Sequence, residues 1–284
     1  MTVTIIGLGL IGGSMALDLR NSGFCDTVIG VDSNKNHEDS ALALNLVNKI
    51  LPLEEAVRSS DLVIVAVPVD ATVLVLAEVM KFVDKQVVTD VGSTKELIVN
   101  SLAMNKNRGR FVAAHPIWGT EKSGPTAALP GGFNNRLTVI CNKVESDPDA
   151  LSLVEKMYKN IGMNIIYMDA LKHDIHAAYI SHISHITSFA LALTVLEKEK
   201  EIESIFQLAG AGFESTVRLA KSNPDTWMPI FSQNKENLLE VIDEHILQLQ
   251  NMKNLLESGD YEAFHALMKK ANQIGKVLER KGGE

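Results

Sequence analysis

Cysteine is scarce: Cys25 and Cys141 are the only two in 284 residues, far apart and without metal-ligand spacing. That excludes a disulfide framework and a cysteine-based metal centre, and implies reduced, buried thiols in a cytoplasmic protein. Positive charge is also short. Twenty-seven Lys and Arg against 35 Asp and Glu leave a net charge of −8 and a pI near 5.5. Without a basic block there is no footprint for nucleic acid. No unbroken apolar run of about eighteen residues exists to cross a bilayer, so no membrane segment is expected. The opening stretch MTVTIIGLGLIGGSMALDL has no positively charged start and is interrupted by four glycines, so it reads as strand and turn rather than as a secretory signal. Repeats and low-complexity segments are absent too. What is present is apolar mass, 46% of residues, enough for one large core or two modest ones.

The first half alternates two periodicities. Strand patterns occupy 3–7, 27–32, 60–68, 86–93 and 110–115, with helical patterns over 12–23, 70–83 and 94–104 between them. Two more strand candidates, 136–142 and 163–169, flank a helix over 149–161. Strands separated by helices predict a Rossmann-type α/β doubly wound sheet. After residue 169 no strand pattern returns. Ile175, Tyr179, His182, Ile186, Phe189, Leu193 and Leu196 recur at steps of four and three, one face of a long helix over 171–200. Helical patterns continue over 201–221, 229–257 and 261–280. The expected organisation is a dinucleotide-binding domain, 1–169, followed by an all-helical C-terminal domain, 170–284, for substrate binding and dimerisation.

GLGLIG, residues 7–12, fits G-x-G-x-x-G after a strand and at the start of a helix. Gly7 allows the tight turn, Gly9 lets a pyrophosphate approach the backbone, and Gly12 lets helix and strand pack closely. The helix N-terminus, with Leu10 and Ile11, offers free N–H groups to the phosphates. Asp32 ends the second strand, twenty residues after Gly12, where a carboxylate accepts from a ribose 2′-OH and repels a 2′-phosphate. The cofactor expected is NAD. The competing account is a structural glycine turn with Asp32 as a helix cap.

Ligands of an open α/β sheet bind beyond the carboxyl ends of its strands. Those ends carry Asp32, then Val67 and Pro68, then Ser93, then His115. A neutral imidazole there can take a hydroxyl proton as hydride leaves the same carbon. Ser93 can orient that ring or bond the reacting oxygen. Alternatively it caps the helix from Thr94, with Glu96 completing an S-x-x-E box. On the long helix, His182 and His185 share a face; without H-E-x-x-H or a third ligand they read as lining of a substrate cleft, or as satisfied core residues, and no metal is expected. His173 and His176 read as solvent-facing or structural. Past the glycine break at 210–212, Arg218 offers a fork for a substrate carboxylate.

Together GLGLIGGS, DVGSTK (90–95), HPIWGTEKSG (115–124), SHISH (181–185) and GAGFESTVRLAKSNPDTW (210–227) resemble the prephenate dehydrogenase family, that is, the prephenate, arogenate and cyclohexadienyl dehydrogenases of tyrosine biosynthesis. The resemblance spans nearly the whole chain. It implies NAD-dependent oxidative decarboxylation of prephenate to 4-hydroxyphenylpyruvate, or of arogenate to tyrosine. It also implies that His115 assists loss of the hydroxyl proton with Ser93 in support, and that Arg218 binds a substrate carboxylate. Thr120, Glu121, His182 and His185 would line or gate the pocket. Trp227 would reach a partner's cleft in a homodimer formed through the helical domain. Glu214, Ser215 and Val217 depart from the family pattern, and Glu214 would weaken binding of a second carboxylate or welcome the amino group of arogenate. Two other readings compete. A 3-hydroxyacid dehydrogenase or imine reductase would need a catalytic lysine, for which Lys172 is the candidate. A dinucleotide sensor without chemistry would have no use for His115.

Overall fold

The computed structural model describes residues 1–200 and 204–279. Eight strands form one sheet: β1 (Thr2–Ile6), β2 (Thr27–Val31), β3 (Lys49–Ile50), β4 (Leu62–Val65), β5 (Val87–Asp90), β6 (Phe111–Pro116), β7 (Leu137–Cys141) and β8 (Asn164–Met168). Their order is β3-β2-β1-β4-β5-β6-β7-β8. Strands β1 to β6 pair in parallel; β7 runs antiparallel to β6, and β8 parallel to β7. Helices α1 (Leu10–Asn21), α2 (Lys35–Ala43), α3 (Leu53–Arg58), α4 (Val69–Phe82), α5 (Glu96–Ser101) and α6 (Pro148–Asn160) connect them. Helices α2 and α3 fall in a stretch, 33–59, where no periodic signal stood out: α2 buries only Ala41, and α3 is six residues long.

Period-two alternation explains the layers. In β4, Leu62 and Ile64 enter the core cluster that α1 and α6 cover, while Val63 and Val65 enter the one beneath α3, α4 and α5. A strand buried on both faces therefore reads as a continuous apolar run. In β6, Val112 and Ala114 go to the first cluster, Phe111 and Ala113 to the second. His115 follows in phase with Phe111 and Ala113. Both cysteines are free and buried.

Chain order reverses between β1 and β4, each of which starts a run of strands outward in opposite directions. The crevice above that point is where such sheets take a dinucleotide.

Beyond β8 the chain is helical: α7 (Ala170–Ala177), α8 (Ile183–Glu199), α9 (Ala211–Thr216), α10 (Pro224–Gln233), α11 (Lys235–Ser258), α12 (Tyr261–Ala271) and α13 (Ile274–Glu279). The helical pattern read from residue 201 begins, and the one read to Arg280 ends, outside the described residues. Where described, 204–221 is broken into two short 3₁₀ turns around α9 rather than one helix. The chain divides into two compact units, Met1–Lys235 and Glu236–Glu284.

The long helix differs from expectation in its buried face. His173, Asp174, Ala178, His182, His185 and Ser188 are buried, whereas Tyr179, Leu193 and Leu196 from the apolar stripe are exposed. One turn of π-helix, Ala178–His182, joins α7 to α8. By widening the turn it rephases the helix, and such turns recur at functional sites. The stretch Ala170–Glu199 reaches membrane-spanning length with a mean hydropathy of 1.3 over its most apolar window. The residues it buries are nonetheless mostly polar.

Candidate active site

Each fingerprint glycine meets its own constraint. Gly7 follows β1 at φ +94°, and a Cβ there would lie 2.5 Å from the Ala66 carbonyl oxygen. A Cβ on Gly12 would strike the Gly7 carbonyl at 2.0 Å and the Ile5 side chain at 2.9 Å. Around Gly9 no heavy atom lies within 4 Å of that position, and no side chain caps α1 above it. The loop is thus tight where the protein packs and open where a pyrophosphate would approach. Leu10 and Ile11 begin α1, and Val67 borders Gly7 at the end of β4 with exposed Pro68 beside it. Asp32 does not cap α2; Asn34 does, accepting from the Asn36 N–H. The Asp32 carboxylate instead accepts from the N–H groups of Leu8 at 2.8 Å and Asn34 at 2.9 Å, tying the glycine loop to the end of β2.

The segment carrying Ser93 is pinned on both sides. Asp90, fully buried, accepts from the Gly92 N–H and forms a buried ion pair with Lys95. Thr94 donates to the Gln233 side-chain carbonyl at 2.6 Å, and the same amide donates to Val69 O, so α10 is fastened over two strand ends. The capping box offered as the alternative role of Ser93 and Glu96 does not form. Helix α5 starts at Glu96, and Asp174, from α7, accepts from the N–H groups of Lys95 at 2.8 Å and Glu96 at 2.9 Å. Ser93 is half-buried and, among the described residues, hydrogen-bonds neither His115 nor any other group.

His115 lies half-buried in β6, on the sheet face where α7 packs. Ala170 joins the core cluster of that face, and three residues on, on the same side of the helix, comes His173. His115 Nδ1 lies 2.9 Å from His173 Nε2, and His173 Nδ1 lies 2.7 Å from Asp174 Oδ1. Burial, aided by the nearby His173, Lys95 and His182, holds the His115 ring well below its ordinary titration range. It is neutral at pH 7.

The helical side supplies four more candidates. His182, pushed down to about 4 chiefly by burial, accepts at Nδ1 from the Asn234 amide at 3.2 Å. His185 donates from Nδ1 to the Ser181 carbonyl at 3.0 Å, which leaves Nε2 as an acceptor. The Trp227 indole stacks on His185 of the same chain, centroids 3.4 Å apart, with Phe231 behind it. Burial lowers the His185 titration, with the Arg218 charge acting in the same direction. Arg218 itself is exposed and, among the described residues, makes no hydrogen bond or ion pair.

Against known proteins, the model described as prephenate dehydrogenase, nucleotide-binding domain, matches residues 15–167, and that described as prephenate dehydrogenase, dimerization domain, matches 169–270. The chain belongs to the prephenate dehydrogenase family. It is 32% identical to the cyclohexadienyl dehydrogenase of Zymomonas mobilis, over 93% of this chain and 92% of that one. It superposes at a TM-score of 0.91 and 30% identity on A. aeolicus prephenate dehydrogenase in complex with hydroxyphenyl propionate and NAD+, covering 98% of each chain. Synechocystis arogenate dehydrogenase follows at a TM-score of 0.82 and 26% identity, over 98% of this chain and all of that one. The protein is an oxidoreductase of this family.

Within that family frame, His182, His185 and Trp227 are brought together, with Arg218 on the turn that packs on α8. Thr120 and Glu121 stay on the exposed loop after β6. The Thr120 hydroxyl accepts locally from the Lys122 N–H at 3.2 Å, and among the described residues neither side chain bonds a candidate histidine. Five contributors escaped the sequence reading. His173 is buried against His115, not solvent-facing, and Asp174 anchors it. Lys95 and Asp90 form an ion pair that the D-x-x-x-x-K spacing alone does not reveal. Ser188, buried on α8, donates to Thr216 O and accepts from the Ala220 N–H, both at 3.0 Å, clamping the Arg218 turn. Only the i, i+3 step from apolar Ala170 to His173 pointed to any of them.

Proposed function

We propose that this protein oxidises prephenate with NAD+, releasing carbon dioxide and 4-hydroxyphenylpyruvate. The observation that carries the reading is His115, held neutral at the carboxyl end of a strand in the sheet whose first crossover carries the glycine loop. Asp32 favours NAD+ over NADP+ because a carboxylate repels a 2′-phosphate. When bound, NAD+ supplies the hydride acceptor. Gly7, Gly9, Leu10, Ile11, Gly12, Asp32, Val67 and Pro68 hold it.

His115 takes the hydroxyl proton while hydride leaves the same ring carbon, so that carbon becomes a carbonyl. The electron pair of the C–CO2 bond on the opposite ring carbon then flows into the ring. The phenolate so formed recovers a proton from His115, and atoms and charge balance without another reactant. A positioned base of this kind contributes about 10²- to 10⁴-fold in rate. Ser93, with its hydroxyl uncommitted, bonds the reacting oxygen. Arg218 grips a carboxylate, and His182, His185 and Trp227 bound the ring, with Thr120 and Glu121 at the mouth. In this reading residues 1–169 hold the dinucleotide. Residues 170–284 carry the substrate side and pair with a second copy in the cytoplasm, a role suited to the exposed Ile180, Leu193 and Leu196.

Arogenate is the second reading. Acidic Glu214, four residues before Arg218, suits the amino group that arogenate carries in place of a keto oxygen.

The test is NADH formation with each acid and each dinucleotide, for wild type and His115→Asn. Prephenate with NAD+ should be fastest, and H115N should lose at least about 10²-fold in kcat with NAD+ affinity retained. No NADH from either acid, or an H115N variant with wild-type kcat, refutes the assignment. Equal rates with NADP+ would remove the role given to Asp32.

A further inference from the structure

We infer that Asp174 and His173 are positioning residues that set the proton-bearing nitrogen of His115, leaving its Nε2 as the ring's only lone pair. The inference rests on His115 being the base proposed above.

Both oxygens of Asp174 face amide N–H groups, Oδ1 that of Lys95 and Oδ2 that of Glu96. Its carboxylate is therefore an acceptor in a fixed orientation. His173 Nδ1, 2.7 Å from Asp174 Oδ1, has to donate. In a neutral imidazole one nitrogen donates and the other accepts, so His173 Nε2 is left with its lone pair. His115 Nδ1, 2.9 Å from that atom, has to donate in turn. Its Nε2 is then the acceptor, the form a general base requires. With the opposite tautomer, His115 would present an N–H to the hydroxyl and could remove nothing.

The same carboxylate sets the other half of the site. Because Asp174 caps α5 where the sequence suggested that Ser93 and Glu96 would, the Ser93 hydroxyl is released from capping. Asp174 thus joins the base and the serine loop through one side chain. The line is protected from water: His173 and Asp174 are 3% and 2% exposed. Asn234 holds it from the far side, its amide donating to Asp174 O at 2.7 Å and to His182 Nδ1.

Two measurements test this. The first is independent of turnover. Long-range proton–nitrogen NMR spectra of wild-type protein labelled with ¹⁵N-histidine and saturated with NAD+ report which nitrogen carries the proton, with His115→Asn and His173→Gln giving the assignments. A proton on Nδ1 of both rings is expected. A proton on Nε2 of His115 overturns the inference, whatever the activity.

The second measurement is steady-state kinetics. His173→Leu removes the acceptor, and kcat should fall about 10²-fold, the lower end of what a general base contributes, with KM and NAD+ affinity within about twofold. His173→Gln offers a side-chain carbonyl to the same N–H and should recover to within about tenfold of wild type. Wild-type kcat in H173L, or equal losses in both variants, overturns the positioning role. If wild type oxidises neither acid, the proposed function fails while the NMR result still stands or falls alone.

Discussion

Lys95→Met is the most decisive perturbation of the frame that holds the site. Lys95 and Asp90 are both fully buried, and their ion pair lies at the root of the loop that carries Ser93. Methionine keeps most of the volume and removes the charge. Among the described residues, Asp90 then keeps only the N–H groups of Gly92 at 2.9 Å and Ala114 at 3.3 Å, without a counter-charge. Breaking one side of a buried pair costs about 3–5 kcal/mol, most of it the penalty of the charge left behind. In a domain of this size each kcal/mol moves Tm by about 2–4 °C, so a fall of about 6–20 °C is expected by calorimetry. Asp90→Asn alone should also destabilise, because it strands the ammonium. The double variant D90N/K95M should be more stable than the sum of the two losses, with a coupling of at least about 1 kcal/mol in urea unfolding. If K95M melts within about 2 °C of wild type, or the two losses add within about 0.5 kcal/mol, the pair is not the brace described here.

Three further outcomes follow from the geometry. Gly9→Ala meets no protein atom within 4 Å, so Tm should hold while NAD+ affinity falls about tenfold or more by titration calorimetry; Gly12→Ala, 2.0 Å from the Gly7 carbonyl, should lose stability as well. A G9A variant with normal affinity would place the pyrophosphate elsewhere. Ser188→Ala removes both bonds that clamp the Arg218 turn to α8, and should cost about 1–3 kcal/mol and raise KM more than it lowers kcat; an unchanged KM would separate Arg218 from substrate binding. His182 is pushed down to about 4 by burial, partly opposed by Asp174, so between pH 6.5 and 4 the unfolded chain binds a proton that the folded chain refuses. Stability should therefore fall with pH across that window, by about 3 kcal/mol from this group, and His182→Gln should flatten that share of the urea-midpoint profile; an identical profile in H182Q would refute the cause.

What the amino-acid order decided by itself was whatever depends on near neighbours in the chain. Alternating apolar runs and helical repeats set the doubly wound architecture, because a strand covered on both faces and a helix covered on one write different periods. The three glycines of the first loop were legible because each answers a steric demand within a few residues, or from the adjoining strand. The strand-end position of His115 was legible for the same reason.

Tertiary structure decided what depends on distant chain segments. The apolar stripe on the helix over 171–200 suggested one face, yet the buried face is that of His173, Asp174, His182, His185 and Ser188. Burial there follows from hydrogen-bond partners on β6, the α5 start, α10 and the Arg218 turn, none of which leaves a periodic mark. His115 and His173 are 58 residues apart, and Asp174 caps a helix 78 residues earlier. A polar side chain carries no pattern that names its partner, since a hydrogen bond requires only a complementary atom at the right distance, and that distance exists only after the sheet has folded and α7 has packed on it.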